Sequence, residues 1–182
     1  MNITVYLGAN EGKTPELKSA VRELGTWIGS AGHTLVYGGS KRGLMGELAE
    51  SVLLAGGEVI GVEPQFFLDM GFDYPEITKL IATRDMSERK AKMIELGDAF
   101  IAFPGGTGTL EEISEIMSKV VLGHLHTPCM IYNLNGYYDC LRGLLARMVA
   151  EELSSDEKLK GIFFVSGLDE IRTILDSSTS GN

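Results

Sequence analysis

Residues 103–112 read FPGGTGTLEE, three glycines and two threonines followed by paired glutamates. Glycines let a ligand come close to the backbone, and free amides at a helix start favour an anion. Thr107 and Thr109 add hydroxyl donors, so the loop suits a small phosphate monoester. Gly106-Thr107-Gly108 is a G-x-G element, but the third glycine of the dinucleotide fingerprint would fall at Glu111. That departure counts against ordinary NAD or FAD binding. Glu112 admits two readings. Thr109-Leu110-Glu111-Glu112 has the T-x-x-E form of a capping box, with Glu112 folded back onto the Thr109 amide. Alternatively, its carboxylate is a chemical group beside a bound sugar. Glu111 lies about 100° away around a helix and is assigned to the surface or the helix terminus.

A second cluster lies in DMSERKAKMIELGDAF, 85–100. Asp85 or Ser87 can cap a helix here, and Gly97 can end it. Asp85–Arg89 and Glu88–Lys92 have i,i+4 spacing, which fits a solvated charged face for Arg89 and Lys90. A guanidinium at a helix start on the ligand side can also grip a phosphate. The stretch GANEGKT, 8–14, resembles a P-loop, but position 7 is Leu7 where glycine is required. Its loop is one residue short, so a βα turn with Pro15 in the first helical turn is favoured. In YGGSKRGLMG, 37–46, glycines fit close packing and ligand contact equally. Gly8, Gly39 and Met86 are further candidate substrate contacts, although Met86, Met93 and Met117 also read as core residues. His124 and His126 lack a third ligand nearby and read as helix-end histidines, so no metal site is expected.

These groups need a scaffold, and the chain alternates β-rich runs with helical patterns. Strands are predicted over 3–7, 34–37, 58–62, 79–82, 99–103, 129–132 and 162–165. Helices are predicted over 16–30, 44–54, 87–96, 110–122, 137–152 and 169–175. Strands spaced by one helix each imply βαβ crossovers. The expected fold is α/β: one doubly wound, Rossmann-like domain over residues 1–176, with a mainly parallel sheet of about seven strands. A flexible tail is expected over 177–182. Ligands in such folds bind beyond the carboxyl ends of the strands, which singles out loops 8–13, 38–43, 63–67, 83–87 and 104–109.

The chain has 182 residues, 44% of them hydrophobic, with 16 Lys+Arg against 25 Asp+Glu and a net charge of −9. That balance counts against non-specific nucleic-acid binding. Cys129 and Cys140 form no CxxC and read as free thiols. Met1 leads directly into a strand-like run, and the apolar runs are too short to span a bilayer. A soluble, cytoplasmic protein without a membrane partner is the expectation.

Taken together, the motifs resemble the LONELY GUY-type proteins, cytokinin riboside 5′-monophosphate phosphoribohydrolases often mislabelled as lysine decarboxylases. The P-G-G-x-G-T-x-x-E hallmark is met by Pro104, Gly105, Gly106, Thr107, Gly108, Thr109 and Glu112. Arg89 and Lys90 match the R-K element, and Tyr37–Gly39 with Gly43–Gly46 match the Y-G-G…G-L-M-G element. Weaker matches at 56–62, 127–133 and 136–141 extend the resemblance over roughly residues 3–175.

The resemblance implies a Rossmann-like homodimer with active sites near the interface and no metal or organic cofactor. It implies hydrolysis of a nucleoside 5′-monophosphate, AMP or an N6-modified AMP, to free base and ribose 5-phosphate. Arg89 and Glu112 carry over as the catalytic pair. Gly105, Gly106, Gly108 and Thr109 carry over to phosphate binding, with Lys90 and Thr107 beside them. Ser40, Ala9-Asn10 and Thr107 depart from the usual pattern, which bears on substrate grip. A non-catalytic carrier of a phosphate-bearing ligand is the competing reading. Lysine decarboxylase is rejected, because the chain lacks a Schiff-base lysine with a pyridinium partner.

Overall fold

Near-continuous apolar runs become strands covered on both faces. They are β1 (Asn2–Tyr6), β2 (Thr34–Tyr37), β3 (Glu58–Pro64), β4 (Lys79–Thr83), β5 (Ala99–Ala102), β6 (Cys129–Tyr132) and β7 (Ile162–Val165). The computed structural model describes residues 1–72 and 74–179. Its seven strands form one sheet in the order β4-β3-β2-β1-β5-β6-β7, and every pairing is parallel. The chain winds outward from β1 to β4, then returns to lay β5 on the other side of β1. This reversal is the topological switch point.

The helices are α1 (Pro15–Ser30), α2 (Gly43–Leu54), α3 (Gln65–Asp69), α4 (Met86–Leu96), α5 (Thr107–Val121), α6 (Asp139–Ala150) and α7 (Leu168–Thr179). Successive strand residues face opposite ways, and two core layers follow. Ile3, Val5, Leu35 and Ile101 pack with Val21, Leu48 and Ile171 from α1, α2 and α7. Tyr6, Val36, Val62 and Phe100 pack with Met93 and Ile113 from α4 and α5. Leu141 and Leu145 of α6 lie partly buried against this second layer.

The expected strands stand, three with the predicted ends and four with an end displaced by one or two residues. The five-residue α3 was not anticipated, and a 3-10 turn at Leu134–Gly136 delays α6 to Asp139. Helix α7 continues to Thr179, past the point where the sequence placed a tail, and residues 180–182 lie outside the described residues. The largest correction is at α5. It begins at Thr107 rather than 110, and its N-cap is Gly106 with no side-chain cap. The T-x-x-E capping box does not form. Among the described residues, no helix is long and apolar enough to cross a membrane.

Candidate active site

The carboxyl ends of β5, β1, β2 and β3 border one cavity of about 380 Å³. Its β5 end is the start of α5, where Gly106, Thr107, Gly108 and Thr109 line the wall. The first amides of this helix have no capping side chain, and such an N-terminus attracts an anion. A Cβ on Gly106 or Gly108 would meet no protein atom within 4 Å. Gly105 differs: a Cβ there would lie 2.9 Å from Gly8 N and collide with Thr109 Oγ1. It allows the strand ends to close up at the switch point.

In the cavity lining, Arg89 Nη1 donates to Glu112 Oε1 at 2.6 Å. Both residues are buried, 5% and 7% exposed, and both line the cavity. Arg89 comes from α4, whose start is fixed by Asp85 accepting from Glu88 N at 2.8 Å. Its Nε donates to Val62 O at 3.0 Å, locking the side chain beneath the end of β3. Gly38 leaves room for Nη2, since a Cβ there would collide with it. The expected Asp85–Arg89 surface pairing therefore gives way to a buried guanidinium. Burial pushes the Glu112 carboxyl above its ordinary value of 4.5, while the charge and hydrogen bond of Arg89 oppose that rise.

Gly8 and Met86, candidate substrate contacts in the sequence, line the cavity. Lys90 does not. Its Nζ bonds Glu111 Oε1 at 2.6 Å and lies 3.4 Å from Glu115 Oε2, tying α4 to α5 instead of pointing at the ligand space. Lys90 is raised above its ordinary value chiefly by the Glu111 bond. Gly39 is also absent from the lining. It adopts φ +87°, and a Cβ there would stand 2.8 Å from Glu63 Oε2, so it makes room for that carboxylate. Tyr137, whose hydroxyl donates to Gly105 O at 2.5 Å, braces the loop from outside.

The sequence reading missed Arg42, Met45, Glu63, Phe67 and Phe72, which line the far end of the cavity. Glu63 and Phe67 sit in the 63–67 loop already singled out, and Arg42 in 38–43. Phe72 carried no signal. Among the described residues, no group of three His, Cys, Asp or Glu is placed to hold a metal ion.

An all-parallel, doubly wound sheet with a ligand cavity over its switch point defines a Rossmann-like α/β protein. A solved molybdenum cofactor binding protein from Rippkaea orientalis shares this fold at TM-score 0.73 and 21% identity, over 98% of this chain and 96% of that one. The family model described as possible lysine decarboxylase matches residues 45–175. The cytokinin riboside 5′-monophosphate phosphoribohydrolase of Rhodococcoides fascians is 40% identical over 82% of this chain and 76% of its own length. A probable enzyme of the same name from Oryza sativa subsp. japonica is 39% identical, over 82% of this chain and 66% of its own. The chain belongs to that family, which comprises the LONELY GUY-type proteins.

Proposed function

We propose that the protein hydrolyses the N-glycosidic bond of a nucleoside 5′-monophosphate, AMP or an N6-modified AMP, releasing free base and ribose 5-phosphate. The observation that carries this reading is the buried Arg89–Glu112 pair facing the cavity beside the uncapped start of α5. The relatives named above supply the reaction class.

The 5′-phosphate sits on the α5 amides, with the hydroxyls of Thr107 and Thr109 as further donors. Breaking the bond builds positive charge on the ribose and negative charge on the departing base. Glu112 lies one helical turn beyond the phosphate loop, where its carboxylate stabilises the oxocarbenium-like ribose and orients the attacking water. Arg89 holds that carboxylate through Nη1 and places positive charge beside the leaving base. A mere phosphate carrier has little use for a buried carboxylate here. The likeness to the molybdenum cofactor protein extends to the fold alone.

We place the molecule in the cytoplasm as a homodimer of single-domain chains, each domain including α7 through Thr179. Leu110, Tyr137 and Leu144, exposed on elements bordering the phosphate loop, support self-association. Light scattering that gives the monomer mass at micromolar concentration removes the dimer. The catalytic reading is tested by incubation with a panel of nucleoside monophosphates, assayed for free base and ribose 5-phosphate. Tight binding without release from any of them supports the carrier instead.

A further inference from the structure

Helix α5 aims the amides of Thr107, Gly108 and Thr109, but it does not orient the peptide before them. That peptide joins Gly105 to Gly106, and Gly106 is the N-cap, with extended backbone at φ −90° and ψ −159°. Glycine on both sides lets such a peptide turn over at little cost. One contact fixes it: the Tyr137 hydroxyl donates to Gly105 O at 2.5 Å. The peptide is trans, so the Gly106 N–H points the opposite way. Tyr137 stands outside the cavity lining and Gly106 within it. Among the described residues, no protein acceptor takes that N–H. The tyrosine is itself held in place. Asn133 Oδ1 accepts from Tyr138 N at 2.6 Å and its Nδ2 donates to Asp139 Oδ1 at 2.8 Å. The rings of Tyr137 and Tyr138 meet edge to face at 4.9 Å. Tyr138 makes a parallel bond, its hydroxyl donating to Phe103 O at 2.9 Å. The next nitrogen there belongs to Pro104, which has no N–H to direct at a ligand.

We infer that Tyr137 is a positioning residue for the 5′-phosphate: by holding Gly105 O outside, its hydroxyl turns the Gly106 N–H into the cavity as a further donor. This inference rests on the phosphate reading of the α5 start. An N–H aimed at a phosphate makes a charge-assisted bond, stronger than a neutral one. Successive amides converging on one point form an anion-binding concavity. Tyr137 is half exposed, so without its hydroxyl water takes Gly105 O and the fold survives. The glycine peptide is then free to turn its carbonyl oxygen toward the anion. Tyr138 is the internal contrast. It is buried, and removing its hydroxyl strands Phe103 O, which costs stability rather than phosphate affinity.

The test compares the wild type with Tyr137→Phe and Tyr138→Phe. Three quantities are read: KM and kcat for AMP, Kd for ribose 5-phosphate by titration calorimetry, and Tm. Tyr137→Phe is expected to raise KM and that Kd by about 10-fold, with kcat within about twofold and Tm nearly unchanged. Tyr138→Phe lowers Tm and keeps the wild-type Kd. Equal Kd in the wild type and a folded Tyr137→Phe overturns the inference. An equal loss of affinity in both variants also overturns it, because the two hydroxyls would then act through stability alone. A changed mass in light scattering alongside the lost affinity would assign Tyr137 to self-association, and overturns it too. Should the wild type release no base, the ribose 5-phosphate Kd decides alone. A rise of about 10-fold in Tyr137→Phe then upholds the positioning role while hydrolysis fails. A wild type that binds no ribose 5-phosphate overturns the phosphate loop and its brace together.

Discussion

Arg89 is held by Val62 O at Nε and by Glu112 at Nη1, with Gly38 cleared to make room for Nη2. Removing the acid–base partner of such an arrangement costs about 10²- to 10⁴-fold in rate. Glu112→Gln is therefore expected to lose base release to that degree while its circular dichroism spectrum stays unchanged. Full activity in that variant would remove Glu112 from the chemistry. The pH dependence follows from the same burial. The carboxyl is raised above 4.5, and the ionised form is the one proposed to stabilise the ribose. As pH falls through the raised pKa, that form is lost at a higher pH than for an exposed glutamate. The acid limb of kcat/KM should thus have its midpoint above 4.5, read from initial rates at substrate well below KM. At this scale the sequence disclosed candidate residues but not where they point. Glu112 fitted a capping box equally well, and Lys90 fitted a phosphate contact until its bonds to Glu111 and Glu115 placed it elsewhere.

The elements explain why those ambiguities resolve as they do. Helix α5 starts three residues earlier than its apolar pattern suggests, because Gly106, Thr107 and Gly108 carry no hydrophobic signal. Once Thr107 is the first helical residue, Thr109 is no longer a cap and Glu112 is free to face α4. The start of α4 was legible, because the Asp85 cap is written locally in the sequence. The glycines of 37–46 fitted two roles on composition, and their structural reasons are tertiary. Gly38 is the sharpest case: its Cβ would meet Arg89, with Met45 Sδ 3.1 Å away. Gly38→Ala should therefore leave helix content intact while pushing the guanidinium out of register. Misplacement of a positioning group on this scale is expected to lower kcat/KM by roughly 10- to 100-fold. Unchanged steady-state kinetics in a folded Gly38→Ala would mean that the position of Arg89 is not critical.

Across the whole molecule, the alternation of short apolar runs with helices implies parallel crossovers, so the doubly wound sheet was legible in advance, while its strand order was not. The far wall of the cavity was not, because Arg42 reaches Phe72 and Gly39 reaches Glu63 only after β2 and β3 are side by side. The same layering separates the two thiols. Cys129 opens β6 on the α5–α6 side, fully buried, and burial pushes its thiol up to about 12. Cys140 is exposed on α6. Reaction needs a thiolate within reach of the reagent, so at most one thiol, Cys140, should react with an aromatic disulfide in the native protein. The second should appear only in denaturant, at the rate at which the β6 layer opens. A ligand bound in the cavity stabilises the folded state by mass action, about 2.7 kcal/mol at 100 times its Kd. Saturating AMP should therefore slow the second thiol at intermediate denaturant while leaving the first unaffected. Prompt reaction of both thiols in the native protein would contradict the burial of β6. An unaltered second phase in saturating AMP would mean that cavity and sheet do not unfold as one unit.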